Sequence, residues 1–251
     1  MSLFAATPDF ALPVDAAAAS GPAVQATDLA KEIDDRLILR GLNFSIPRGQ
    51  SVALLGPNGA GKSTLLHLLA TLTAPTAGQL TLLGQPVKRS DASLRRRIGM
   101  IGHQPMLYRD LTALENLLFF GRLYGVKNVA ARAAMLLEQV RLADRANDAV
   151  KAFSRGMVQR LAIARALMHD PELILADEPF SGLDIPSIQQ LQLLLGSLDA
   201  AGKTLIVTNH NIEQSLELCR RVMVLRQGNI VLDQAARGTP VALVMHEVTR
   251  T

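Results

Sequence analysis

Apolar positions along this chain fall into short blocks that switch between the two-residue period of a strand and the 3.6-residue period of a helix. Residues 37–39, then Leu42, Phe44 and Ile46 in alternation, read as strand, and Pro47-Arg48-Gly49 turns the chain into a further apolar run over 52–55. Residues 26–46 are therefore expected to form an antiparallel edge feeding a core. After a glycine-rich stretch, residues 65–72 continue at helical density. Ala74-Pro75-Thr76-Ala77-Gly78 is a turn, residues 79–83 a short strand closed by Gly84, and residues 98–101 another strand, ended by Gly102-His103-Gln104-Pro105. Thr112-Ala113-Leu114-Glu115 is a capping box opening a helix through Leu117, Phe119, Phe120 and Tyr124 to Gly125. Asn128 is placed to cap a second helix over 129–140, whose face of Leu136, Leu137 and Val140 is apolar. These helices are expected to make a compact lobe inserted into the sheet domain.

In the second half, Met157, Leu161, Ala164 and Met168 recur at helical spacing, and residues 173–176 are an apolar strand ending in Asp177 and Glu178. Residues 188–198 read as a helix and residues 204–207 as a strand ended by Thr208-Asn209-His210. Residues 221–225 and 229–232 read as a hairpin about Gln227-Gly228. Residues 233–251 carry no functional signal. The pattern sets out an α/β chain: residues 1–24 as a flexible tail, 25–233 as one domain with a helical subdomain at about 105–165, and 234–251 as a second tail.

Composition narrows the picture little further. At 251 residues and 49% hydrophobic, the chain can bury one sizeable core. Its 26 basic and 22 acidic residues leave a formal charge of +4, too small an excess to demand a nucleic acid partner. Cys219 is the single cysteine, which excludes an internal disulfide and a cysteine zinc cluster and reads best as a small buried apolar residue. No apolar run approaches the roughly eighteen residues that a spanning helix needs. Residues 1–24 are Ala-rich and interrupted by Pro8, Pro13 and Pro22, and the first basic residue is Lys31, so the positive region that opens a signal peptide is missing.

The chemistry concentrates at Gly56-Pro57-Asn58-Gly59-Ala60-Gly61-Lys62-Ser63-Thr64, which fits the phosphate-binding pattern G-x-x-x-x-G-K-[ST] between a strand and a helix. The glycines bare backbone N–H groups toward an anion and the following helix presents its positive dipole end. Lys62 would reach the β and γ phosphates of a nucleotide and Ser63 would give its hydroxyl to Mg²⁺, while Thr64 continues the helix. Asp177 and Glu178 end an apolar strand, and strand alternation is expected to point them apart. Asp177 would then hold Mg²⁺ through water or Ser63, and Glu178 would polarise the water that attacks the γ-phosphate. Gln104, beyond a strand's carboxyl end, could touch Mg²⁺ or that water, or be a plain loop residue. Ser154 and Gly156 open a helix, either as an anion site or as an ordinary serine cap. His210 could hydrogen-bond a γ-phosphate oxygen. Arg95, Arg96 and Arg97 read as a solvated face rather than a phosphate contact. No aromatic residue lies between Val24 and Leu42 to stack on a base, which leaves apolar cover to Ile33 or a neighbour.

In this order, these residues resemble the ATP-binding-cassette ATPases over nearly all of residues 26–232. Gly56 to Ser63 resembles the Walker A loop, Gln104 the Q-loop, and Phe153-Ser154-Arg155-Gly156-Met157 the signature. Leu173 to Glu178 resembles Walker B with its catalytic glutamate, Ser181-Gly182-Leu183-Asp184 the D-loop, and His210 the switch histidine. Arg155 and Met157 stand where the family usually has Gly and Gln, and the aromatic of its A-loop is absent. The resemblance implies a P-loop fold with a RecA-like core, an antiparallel β edge and an inserted helical subdomain. It also implies ATP and Mg²⁺ as ligands, Asp184 among the nucleotide-site residues, and catalysis by Glu178, His210 and Gln104. A homodimer closing head to tail on two ATP molecules is expected, with Ser154 and Gly156 facing the phosphates of the other copy. Integral-membrane permease subunits are the implied partners, nucleic acid is not, and the place of work is the cytoplasmic face of the inner membrane, peripherally. Gly102-His103-Gln104-Pro105, Leu111 to Asn116 and Ile33-Asp34-Asp35-Arg36 look like the haem exporter ATPase of cytochrome c maturation, while 153–157 also fits exporters of drugs, lipids and polysaccharides. A DNA-repair or chromosome ATPase would carry a long coiled coil between Gln104 and the signature, where residues 105–152 show no sustained heptads. A soluble iron–sulfur assembly ATPase is not excluded by these residues.

Overall fold

The computed structural model describes residues 21–88, 91–102 and 104–250; the tail expected over residues 1–20 lies outside them. Two sheets organise the chain. In the first, β1 (Val24–Ile33), β2 (Arg36–Ile46), β4 (Ala77–Leu82) and β5 (Gln85–Pro86) run in the order β2-β1-β4-β5, all antiparallel. The second has the order β10-β9-β3-β8-β7-β6, from β3 (Ser51–Leu55), β6 (Ile98–Ile101), β7 (Leu173–Ala176), β8 (Thr204–Thr208), β9 (Arg221–Arg226) and β10 (Asn229–Ala235). It is parallel except for β10, which returns from β9 through the expected hairpin.

The near-continuous apolar composition of β3, β7 and β8 follows from cover on both faces. Successive side chains alternate between two cores. Ala53, Leu55, Ile174, Ala176, Leu205 and Val207 join one, and Val52, Leu54, Leu173, Leu175 and Ile206 join the other. The second core takes Leu65, Leu66, Leu68 and Leu69 from α1 (Lys62–Leu69) together with Leu29, Leu39 and Leu80 of the antiparallel sheet. The first takes the buried faces of α3 (Ala113–Leu123), α4 (Val129–Gln139), α5 (Arg155–Leu167) and α6 (Ile185–Ala200).

Several local expectations are met and several corrected. Thr112 accepts from Glu115 N while the Glu115 carboxylate accepts from Thr112 N, so the capping box is present. Asn128 makes no side-chain cap; it adopts a left-handed backbone, φ 52°, a conformation Asn tolerates better than most residues. Arg95 and Arg96 of the basic run are exposed, as expected, while Arg97 is half-buried. Arg95 Nε donates to Thr71 Oγ1 after α1, and Arg97 and Arg48 both donate to Glu172, joining the segments that lead into β6, β3 and β7. The Arg97 hydrogen bond holds the Glu172 carboxyl below its usual range. A short α2 (Ala92–Arg95) and α7 (Ile212–Leu218) add to the pattern read from sequence. Ala23 and Val24, assigned to the flexible tail, are fully buried at the start of β1. At the other end β10 reaches Ala235, and α8 (Val241–Thr249) packs Val244 into the first core, with Arg226 Nη1 donating to Glu247 Oε2 at 3.0 Å. Residues 234–250 are thus not a tail; residue 251 lies outside the described residues.

Candidate active site

The glycine-rich loop links the end of β3 to the start of α1, and its backbone cannot be built from other residues. Gly56 has φ 146°, and a Cβ there would lie 2.0 Å from the Leu225 carbonyl oxygen on the neighbouring strand; Gly61, at φ 105°, would meet the Leu39 side chain at 2.8 Å. Lys62, 6% exposed, folds back so that Nζ donates to Gly56 O at 2.7 Å and Pro57 O at 2.9 Å. Burial lowers the basicity of its ammonium, opposed by the charges of Glu178 and Asp177, so these acids share one electrostatic neighbourhood with the loop. Ser63 is exposed on the first turn of α1, and Thr64 is half-buried beside it.

Across the sheet, β7 stops at Ala176, so the two acids lie beyond the strand. Asp177 N still donates to Ile101 O on β6, and the chain then turns at Glu178, whose φ of 49° is left-handed. A non-glycine residue there, directly before Pro179, stores backbone strain on the order of 1–3 kcal/mol. The two acids therefore separate by a turn rather than by strand pleating. Thr208, fully buried at the end of β8, bridges them: its hydroxyl donates to Asp177 Oδ1 at 2.7 Å and accepts from Glu178 N at 2.8 Å.

His210 follows two residues on, its backbone N–H donating to Asn209 Oδ1, and its Nε2 lies 2.7 Å from Glu178 Oε1. The ring of His210 therefore lies against the catalytic-site glutamate. Thr208 and Asn209 were passed over as strand-end residues; their signal was a run of hydrogen-bonding side chains beside the site strand.

Gln104 is exposed in the loop after β6 and, among the described residues, makes no hydrogen bond to this group; His103 lies outside them. Ser154 is the N-cap of α5, its Oγ accepting from Met157 N at 3.3 Å. The cap uses one lone pair, and the hydroxyl proton stays available to an anion, so cap and anion site are compatible readings. Gly156 is buried against Ser187, and Asp184 caps α6 through Ser187 N. A cavity of about 340 Å³ runs from Glu178 and Ser181 past Arg155 to Phe153, Pro105 and Arg109.

No cluster of three or more His, Cys, Asp or Glu among the described residues could cage a metal. One carboxylate, Asp177, and one serine hydroxyl suit Mg²⁺, which takes few protein ligands and fills its shell with phosphate oxygens and water.

Residues 39–181 match the family model described as ABC transporter. The chain belongs to the ABC transporter family. It is an ATP-hydrolysing transporter ATPase, and its fold is the ABC ATPase fold. The Nod factor export ATP-binding protein I of Burkholderia lata is 40% identical over 223 residues, 88% of this chain and 72% of that protein. The linearmycin resistance ATP-binding protein LnrL of Bacillus subtilis is 39% identical over 210 residues, 83% of this chain and 68% of that one. Among solved structures, a post-hydrolysis dimer of the ATP-binding cassette MJ0796 bound to ADP and Pi superposes with a TM-score of 0.78 at 30% identity, covering 86% of this chain and all of that one. CbiO1 from Clostridium perfringens, part of the ABC transporter complex cbiONQ, gives 0.79 at 25% identity, covering 86% and 90%. The names of these relatives speak of export and resistance, and the expected haem-exporter identity is not among them. This ABC ATPase has no helix among its described residues long and apolar enough to cross a membrane.

Proposed function

We propose that this chain is the ATP-driven subunit of a membrane exporter of the general drug, lipid or polysaccharide type. Two copies bind ATP head to tail, so that Ser154 and Gly156 of one meet the phosphates cradled by Gly59, Gly61 and Lys62 of the other. The observation that carries the catalytic half of this reading is the Thr208 bridge: one buried hydroxyl fixes Asp177 and the Glu178 backbone together, leaving the Glu178 carboxylate to His210.

The roles follow from these contacts. Bound Mg²⁺ neutralises charge on the phosphates, and Ser63, Asp177 and Gln104 are the residues that would hold it. Glu178, oriented by His210, accepts a proton from the attacking water. Lys62 holds the β and γ phosphates, and Asp184 fixes the turn into α6. Hydrolysis releases the pair, so ATP biases an open and closed equilibrium that the membrane subunits read. Met106, Tyr108, Phe119 and Leu123 are exposed on the helical lobe, and an apolar surface of that kind supports docking of a permease there. The subunit then works peripherally, on the cytoplasmic face of the membrane.

The test is Glu178→Gln, which should retain ATP binding while turnover collapses; hydrolysis near the wild-type rate would remove Glu178 as the base. Copurification with a polytopic membrane protein is expected, and a stable complex with soluble scaffold proteins alone would contradict the exporter reading. Haem export is a narrower reading, favoured by the short resemblances at residues 33–36, 102–105 and 111–116. A deletion strain with normal c-type cytochromes would eliminate it and leave the general one.

A further inference from the structure

Arg155 is the first residue of α5, where a cation opposes the helix dipole by about 0.3–1 kcal/mol, so the fold places it there against local preference. It is exposed and, among the described residues, makes neither an ion pair nor a side-chain hydrogen bond. It makes instead a flat contact. A Cβ on Gly182 would lie 2.3 Å from the Arg155 guanidinium carbon, 2.3 Å from Nη1 and 2.7 Å from Nη2. The guanidinium plane therefore rests on the Gly182 backbone, in the space a Cβ would take, and a larger residue there would have to push the Arg155 side chain aside. A second close approach runs alongside it: a Cβ on Gly156 would lie 2.4 Å from Ser187 Oγ at the start of α6. The beginning of α5 and residues 182–187 are thus packed against each other at two glycines.

What Arg155 leans on is the loop that carries the catalytic carboxylate. Ser181 N donates to Glu178 O at 3.1 Å and Leu183 N to Phe180 O at 3.3 Å, so residues 178–183 form a run of tight turns beginning at the strained Glu178. Phe180 is buried in the first core and fixes the middle of that run. A displacement at Gly182 is therefore carried back to Glu178 through hydrogen-bonded backbone rather than through a slack loop. We propose that Arg155 is a positioning residue: it couples the start of α5, which faces the partner copy's nucleotide, to Glu178 of its own chain. Occupancy of one site then sets the carboxylate of the other. This inference rests on the head-to-tail pairing put forward above.

The test compares ATP turnover, across ATP concentrations, for the wild type, Arg155→Ala, Arg155→Lys, Gly182→Ala and the double variant Arg155→Ala with Gly182→Ala, each checked by thermal melting. Arg155→Ala should lower kcat on the order of 10- to 100-fold, a larger effect than its rise in KM for ATP, because Lys62 and the phosphate loop still hold the nucleotide. Arg155→Lys keeps the charge without the plane and should restore little of the loss. Gly182→Ala displaces the guanidinium and also strains a backbone at φ 68°, so it should lower kcat by at least as much, and the double variant should be no slower than Gly182→Ala alone. Wild-type kcat in Arg155→Ala, full activity in Arg155→Lys, or a double variant slowed by the product of the two losses would overturn the proposal. ATP-driven pairing of Glu178→Gln with Arg155 intact tests the underlying dimer separately: its failure removes the pairing, while its success beside a fully active Arg155→Ala removes only the coupling.

Discussion

Thr208 shows how one side chain can decide the geometry of a site. Its hydroxyl satisfies a carboxylate that is 8% exposed and a backbone N–H at a strained residue, so Thr208→Ala leaves both without that partner. The expected cost is about 1–3 kcal/mol of stability, with Thr208→Ser recovering most of it; melting temperature measures the first effect and ATP turnover the accompanying fall in rate. Cys219 is the opposite case. Burial pushes its thiol up to about 12, so the folded chain should react with a thiol reagent at neutral pH only after denaturant exposes the residue; rapid labelling of the native protein would contradict that. Residue identities at Gly56, Lys62, Asp177 and Glu178 were legible because the phosphate pattern and an apolar strand ending in acids are local signals. The Thr208 bridge, the His210 contact with Glu178 and the left-handed turn at Glu178 were not, since each arises from where β7 and β8 end relative to one another.

At the level of elements, the alternation of two cores across β3, β7 and β8 explains why apolar runs without polar interruption read correctly as interior strands. The capping box at Thr112 was equally plain, and Thr112→Ala should destabilise the protein by about 1 kcal/mol and raise amide exchange in the first turn of α3 before the rest of the helix. The basic run at Arg95 to Arg97 is exposed over its first two residues as its charge suggests, but charge pattern alone does not reveal that Thr71 and Glu172 wait opposite. The final helix was missed for a related reason. Only Val244 of α8 is fully buried, and the position of the helix depends on contacts with β9 and the Arg226 to Glu247 pair.

For the molecule as a whole, one chain carries two unlike faces: the phosphate loop with Asp177, Glu178 and His210 gathered near it, and the Ser154 end of α5. In the proposed account these faces belong to two active sites, and the exposed aromatic surface of the helical lobe belongs to the membrane partner. Phe119→Arg should therefore weaken recovery with the membrane fraction while leaving ATP turnover of the isolated chain near wild type; unchanged recovery would move the docking surface elsewhere. The claim on which the whole account depends is that ATP closes two copies upon each other. Light scattering of purified Glu178→Gln with ATP and Mg²⁺ tests it directly. The account predicts twice the monomer mass with ATP, and monomer with ADP or when Lys62→Ala is added. A Glu178→Gln chain that binds ATP yet stays monomeric would contradict it.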